Sequence, residues 1–361
     1  MKIFFIRLVQ ISALIFTMSL LLHLVVYPSL SLTPWTRGSE LLEFKRQQVV
    51  NSREKFNTLI IGSSRVYRQV NPVLLDSLMG EHHQLNSYNM GVNWLFAPES
   101  FYVMDQLVTI DNLPLKCVVI ELSKIQFIDY SNLHTARTKY WYNFSDFVFT
   151  VRAVANSNFA IHERIATILA HSISYVDQLL NLGYLTEALH FKTVTKNRTG
   201  KSETSGINGF LPLNEREAST VEENVNERHQ KFLQDTSVVT RRYNISVRQF
   251  RKFEENPELL TRYNRVYAEA LNERIRIARS RGIHLVFLLT PRIDQNQYNE
   301  LIPLFNNINP QHRIEISDAR KYPELYLSRY SFDETHLNAT GADLFTTLLS
   351  EKLSPLLTKS N

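Results

Sequence analysis

The sequence predicts an α/β domain built on a parallel sheet and preceded by one membrane-spanning helix. Three observations carry that expectation. Short, wholly apolar runs recur along the chain and stop at Gly or Pro, as strands buried on both faces of a parallel sheet do. Segments with helical signals lie between them, giving a βαβ rhythm. From Leu8 to Thr36 there is no Asp, Glu, Lys or Arg, and about 20 apolar residues suffice to cross a bilayer as a helix.

Residues 1–36 are therefore expected to form a cytoplasmic tip and a single-pass anchor. Lys2 and Arg7 precede the apolar run, so the positive-inside rule leaves the tip in the cytoplasm and the body of the protein outside it. Arg37, Lys45 and Arg46 lie past the far end. A cleaved signal peptide would carry an apolar region of about 7 to 15 residues and a small-residue cleavage site. Here the run is longer and leads into Tyr27-Pro28 and Pro34-Trp35 without an A-x-A pattern, which favours an uncleaved anchor.

The elements then follow in order. Residues 37–56 are polar and charged and read as a membrane-proximal linker. Thr58-Leu59-Ile60-Ile61 is a first strand closed by Gly62. Asn71-Pro72 opens a helix running through Met79, with Pro at an early helical position. Leu85 to Met90 is a second strand ending at Gly91, Pro98 to Val108 a helix, and Lys116 to Leu122 a third strand. The rhythm breaks between about residues 130 and 256. That stretch opens with Tyr140, Trp141, Tyr142 and Phe144, has helical periodicity from Ile161 to Leu180, and turns polar from Lys196 to Arg228. It reads as a partly helical insertion within one domain covering residues 57–361. Pro257 to Arg281 is then a long amphipathic helix stopped by Gly282, and His284 to Leu289 a strand ended by Thr290-Pro291. Ile314 to Ile316 is the last strand and Ala339 to Leu353 the closing helix.

Composition narrows the function. The chain has 361 residues, 44% hydrophobic and 21% charged, with 40 Lys+Arg against 35 Asp+Glu. No dense basic block forms a nucleic-acid stripe, so no nucleic-acid partner is expected. The single cysteine, Cys117, sits in the third strand. It can form neither an intrachain disulfide nor a cysteine-based zinc cluster, and it reads as an inert buried thiol. An exported domain without disulfides is held by its core alone, which suits a large periplasmic domain. No metal or cofactor is expected.

Two segments carry chemistry. Gly62-Ser63-Ser64-Arg65 follows the first strand, and Asp333-Glu334-Thr335-His336 precedes the last helix. Sites in open α/β sheets form at the carboxyl ends of the strands, so a serine in the first βα turn is well positioned. Asp and His three residues apart can converge on that serine, the imidazole taking its proton and the carboxylate fixing the tautomer. Each segment alone is a weak signal, since Gly-Ser-Ser also occurs in plain turns and Asp-x-x-His at helix caps. Arg65 and Arg68 follow the serine and are read either as solvent-facing or carboxylate-paired arginines or as groups that recognise an anionic substrate.

Together these segments resemble the SGNH/GDSL hydrolase superfamily over roughly residues 57–129 and 257–355. The resemblance implies a flavodoxin-like α/β/α sandwich and an ester hydrolase or O-acyltransferase. Its nucleophile block maps to Gly62-Ser63-Ser64, with Ser63 where the name motif has Asp, and its Asp-x-x-His block maps to Asp333 and His336. Gly91 matches the glycine whose amide helps form the oxyanion hole. Where the family has an Asn-Asp pair after the third strand, this chain has Ile125-Gln126, so Asn93 or Gln126 would have to substitute. The anchor resembles that of cell-envelope members acting on glycans, which implies a membrane acyltransferase partner in another chain. The competing expectation is a catalytically weak scaffold or binding component of an envelope polysaccharide system. A phosphate-binding protein is disfavoured, because the G-x-x-x-x-G-K-[ST] pattern is absent. The aromatic cluster at residues 140–144 is expected to form a cap shaped for sugar rings.

Overall fold

The computed structural model describes residues 2–21, 39–52, 54–126, 136–180, 206–214, 223–257 and 261–358. The chain forms two compact units, one of residues 1–43, 127–155 and 159–202, the other of residues 44–126, 156–158 and 203–361. It begins with α1 (Lys2–Leu21) and α2 (Glu40–Asn51). Next come β1 (Thr58–Ile61), α3 (Ser64–Gln69), α4 (Pro72–His83), β2 (Ser87–Asn89), α5 (Glu99–Val108) and β3 (Cys117–Glu121). Helices α6 (Ala136–Trp141), α7 (Phe144–Ala155) and α8 (Ile161–Leu180) belong to the first unit. The second unit resumes with α9 (Glu223–Gln234), α10 (Ser237–Glu255), α11 (Arg262–Ser280) and β4 (His284–Leu289). It closes with α12 (Gln295–Asn306), β5 (Arg313–Glu315) and α13 (Ala339–Thr358).

The five strands form one parallel sheet in the order β2-β1-β3-β4-β5, an order compatible with a flavodoxin-like fold. Alternate strand residues point to opposite faces. Ile60, Val119, Val286 and Leu288 join one apolar cluster with Val66 and Leu75 from α3 and α4 and Leu349 and Leu353 from α13. On the other face α5 packs on β1 and α11 on β4, and Phe101 meets Tyr267 edge to face at 5.8 Å. Covered on both sides, the central strands β1, β3 and β4 need no polar alternation, which is why they read as largely apolar runs.

Every expected strand is present within a residue or two, and other expectations change. Residues 203–256, read as insertion, belong to the sheet unit, where α10 packs against α12. The helix expected from Pro257 starts at Arg262, because the Thr261 side chain caps it by accepting from the Asn264 amide at 3.1 Å. Residues 37–56 include a packed helix: Leu42, Lys45 and Val49 of α2 are fully buried. The Lys45 ammonium donates to the carbonyls of Asn89 (3.1 Å), Gly91 (2.6 Å) and Gly209 (2.7 Å). It also lies 4.0 Å from the centre of the Tyr67 ring.

In the first unit, α1 is largely apolar without a distinct polar face, and Phe4, Phe5, Leu14 and Phe16 are exposed. Among the described residues no helix is long and apolar enough to cross a membrane. The expected span, Leu8 to Thr36, lies outside the described residues beyond Leu21. The aromatic cluster proves to be core rather than a sugar-binding cap. Tyr140, Trp141 and Tyr142 are buried and Phe144 alone is exposed. Tyr142 packs edge to face on Phe147 and Tyr175, and its hydroxyl lies 2.6 Å from His171 Nδ1.

Candidate active site

The site grows from the carboxyl ends of β1 and β3. At Gly62 a Cβ would come within 2.7 Å of Glu121 Cβ and 2.5 Å of Val66 Cγ2, so only glycine lets the chain turn here. Ser63 is fully buried and caps α3: its Oγ accepts from the Arg65 amide at 3.3 Å, while its own amide donates to Glu121 Oε2 at 2.7 Å. Both ends of the turn are thereby pinned. Ser64, the next residue, is half-buried at the start of α3.

The second segment is an equally tight loop. The Phe332 amide donates to the His336 carbonyl at 2.9 Å, and Ser331 bridges to Leu337. Asp333, wholly buried, accepts on Oδ1 from the amides of Thr335 (2.7 Å) and His336 (2.8 Å) and from Thr335 Oγ1 (2.9 Å). Its Oδ2 lies 2.9 Å from His336 Nδ1 and 3.5 Å from Arg228 Nε. Burial alone would raise this carboxyl's pKa, but the His336 charge and these hydrogen bonds overcome it and hold the group well below the usual carboxylate range.

These two segments, 272 residues apart in sequence, meet: His336 Nε2 lies 2.8 Å from Ser64 Oγ. Around Nδ1 stand Asp333 Oδ1 (3.0 Å), Asp333 Oδ2 (2.9 Å) and Thr335 Oγ1 (2.7 Å). With acceptor oxygens on that side, the hydrogen belongs on Nδ1, and Nε2 is left as the acceptor facing the serine hydroxyl. A serine whose proton has an adjacent base, itself held by a buried carboxylate, is an activated nucleophile.

The residues expected to support an oxyanion lie differently. The Gly91 amide donates to Asn89 Oδ1 at 2.8 Å instead of facing the serine. Asn89 is committed on its other side too, its Nδ2 donating to the carbonyls of Val66 and Val70 at 2.8 Å each. Gly91 has a steric reason to be glycine, since a Cβ there would sit 2.5 Å from the Tyr67 amide nitrogen. Asn93 is half-buried in the loop that follows, a loop anchored beside the serine turn by the Val92 amide, which donates to Gly62 O at 3.0 Å. After β3, the Gln126 side chain is exposed and its amide donates to Ala97 O at 2.7 Å. Arg65 is buried and turned toward Glu121, Nη1 to Oε1 at 3.9 Å. Of its two readings, the geometry includes the carboxylate-paired one.

Sequence reasoning missed the charged layer beneath the serine. Glu121, at the end of β3, accepts on Oε1 from Arg292 Nη1 at 2.9 Å and Thr290 Oγ1 at 3.2 Å, in addition to Ser63 on Oε2. Arg292 Nη2 also donates to the Leu122 carbonyl. Burial would raise the Glu121 carboxyl, but Arg292, Arg65 and the Ser63 bonds bring it below its ordinary value. A glutamate inside the apolar run Cys117 to Leu122 was the available signal, because a charge in a buried strand requires a partner. Thr335 and Arg228, which touch Asp333, left no comparable trace. Trp94, in the loop after Gly91, is 66% exposed and packs edge to face on Phe96 at 6.2 Å.

No family model, curated protein or solved structure matches this chain.

Proposed function

We propose that the protein is a serine esterase or O-acyltransferase of the SGNH type, anchored in the cell membrane by its N-terminal helix and acting on acyl esters of envelope glycans. The observation that carries this reading is the line from Ser64 Oγ to His336 Nε2 at 2.8 Å and from Nδ1 to Asp333 Oδ2 at 2.9 Å. In the first half-reaction Ser64 Oγ bonds to the acyl carbon while its proton passes to Nε2. The tetrahedral adduct then collapses, and the leaving alkoxide departs with that proton. In the second half, water or a glycan hydroxyl attacks the acyl-serine, gives its proton to Nε2, and leaves as acid or new ester once Ser64 is reprotonated. Asp333 stays ionised throughout, stabilising the imidazolium.

Oxyanion stabilisation is the weak point. The Gly91 amide is engaged and the family's asparagine after β3 is absent. Loss of one such donor costs about 2.7–4 kcal/mol of transition-state stabilisation, so turnover of simple esters is expected to be slow. The same observation favours the second reading, a scaffold or binding component of an envelope polysaccharide system. The exposed apolar surface of α1 supports the anchor, and an acyl donor partner in the membrane follows from the resemblance alone.

The test is p-nitrophenyl acetate turnover by the full-length protein in detergent, beside Ser64→Ala, with mass spectrometry for an acyl adduct on Ser64. Turnover or an adduct that vanishes in the variant supports the nucleophile. Neither signal from folded protein, even after prolonged incubation, moves the assignment to the scaffold.

A further inference from the structure

The charged layer under Ser64 does not balance. Arg65, Arg242 and Arg292 are 7%, 2% and 1% exposed, and Glu121 is the carboxylate that pairs with Arg65 and Arg292. Arg292 takes the close position at 2.9 Å, leaving Arg65 at 3.9 Å. Arg242 comes from α10 and lies 5.6 Å from the centre of the Tyr326 ring. Tyr326 Oη meets Tyr298 Oη at 3.0 Å, and Tyr298 Oη accepts from the Arg292 amide at 3.1 Å. One turn along α10, Ser246 Oγ donates to Ser317 O at 2.7 Å and accepts from the Ala319 amide at 2.9 Å. That clamp fixes Arg242 at the carboxyl end of the sheet, the edge that also carries Ser64.

Two of these guanidinium groups thus share one carboxylate, and among the described residues no ion pair is made by Arg242, which lies against the Tyr326 ring. Among the described residues Arg65 Nε, Arg292 Nε, and both Nε and Nη1 of Arg242 are buried without a hydrogen-bond partner. Burial first, and then the like charges of Arg292 and Arg242, lower the Arg65 pKa to about 10, against the opposing pull of Glu121. A buried cation without a counter-ion is strongly unfavourable, and partnerless guanidinium hydrogens are the donors that bind carboxylate or phosphate in a fork. Of the three, Arg65 has the most exposed side chain, at 9%, and it is one residue from the nucleophile.

We propose that Arg65 and Arg242 form an anion subsite, so that the substrate is an acyl ester bearing its own carboxylate or phosphate group, held beside Ser64. The substrate class rests on the catalytic reading given above; the anion site itself does not. Arg292 remains with Glu121 as the support of the subsite, while Arg65 and Arg242 supply the free donors.

The experiment is calorimetric titration of the full-length protein in detergent with inorganic phosphate and with glucuronate. Glucose is the neutral control, and ionic strength is held with NaCl. Saturable binding of at least one anion and none of glucose is expected, and the anion that saturates tells phosphate from carboxylate. Arg242→Met is expected to weaken that binding about tenfold or more and, having lost an unpaired buried charge, to melt no lower than the parent in anion-free buffer. Should Arg242→Met fail to fold, Arg242→Lys keeps a charge without the fork and is expected to bind several-fold more weakly. Absence of saturable binding in the parent, or undiminished affinity in the folded variant, overturns the subsite. Ser64→Ala is expected to bind the anion as the parent does. Turnover without anion binding would therefore refute the subsite alone, and anion binding without turnover the catalytic reading alone.

Discussion

Replacing Glu121 by Gln tests the architecture beneath the site most directly. The side chain is 2% exposed and accepts three donors, Ser63 N at 2.7 Å, Arg292 Nη1 at 2.9 Å and Thr290 Oγ1 at 3.2 Å, and forms a longer ion pair with Arg65 Nη1 at 3.9 Å. Glutamine keeps the shape but presents one oxygen and an NH₂ group, so one side of this cradle faces donor to donor. It also removes the counter-charge of two buried guanidiniums. At an effective dielectric of about 20, unit charges about 4 Å apart attract by about 4 kcal/mol, and removing one partner of a buried pair costs about 3–5 kcal/mol in practice. For a domain of this size that corresponds to a fall in Tm of roughly 6–20 °C, readable by circular dichroism. The double variant Glu121→Gln/Arg292→Met removes one of the stranded cations and is expected to recover part of the loss. A Glu121→Gln Tm within about 2 °C of the parent would falsify the claim that this carboxylate neutralises the layer.

Three further outcomes follow from the same geometry. Asp333→Asn leaves the loop in place but sets an NH₂ group against His336 Nδ1, favouring the wrong tautomer; kcat on p-nitrophenyl acetate should fall about 10⁴-fold, with unchanged turnover counting against the triad. Gly91→Ala forces a Cβ to within 2.5 Å of the Tyr67 backbone nitrogen, and the overpacking should cost about 1–3 kcal/mol in thermal unfolding; a neutral result would mean that the loop yields freely. Asp333 and Glu121 both have lowered folded-state pKa values, so they contribute stability that is present above the ordinary carboxylate value of about 4 and is lost as pH falls through the folded values. A Tm profile between pH 6 and pH 2 should therefore drop steeply below about pH 4, and less steeply in Asp333→Asn.

Much of the sheet was legible because strands covered on both faces leave an unmistakable trace: Thr58–Ile61 and His284–Leu289 are where their apolar runs put them. Ser64, His336 and Asp333 were also readable, each sitting in a short polar segment at the end of an apolar element. What was hidden depends on distant partners. The α2 segment ELLEFKRQQVVN reads as polar, yet its Lys45 is buried because backbone carbonyls from two remote loops replace its water. The aromatics at residues 140–142 read as a recognition surface, although in a helical unit such side chains also serve as core. Gly91 matched a motif by position while its amide was committed to Asn89, a local bond that no spacing rule reveals.

The Lys45 contact has a consequence for where this domain begins. An ammonium that satisfies the carbonyls of Asn89, Gly91 and Gly209 is an internal rivet, and a chain cut at Lys55 would leave three buried acceptors without donors around the loop that flanks Ser64. The smallest independently folding fragment therefore has its border ahead of Glu40.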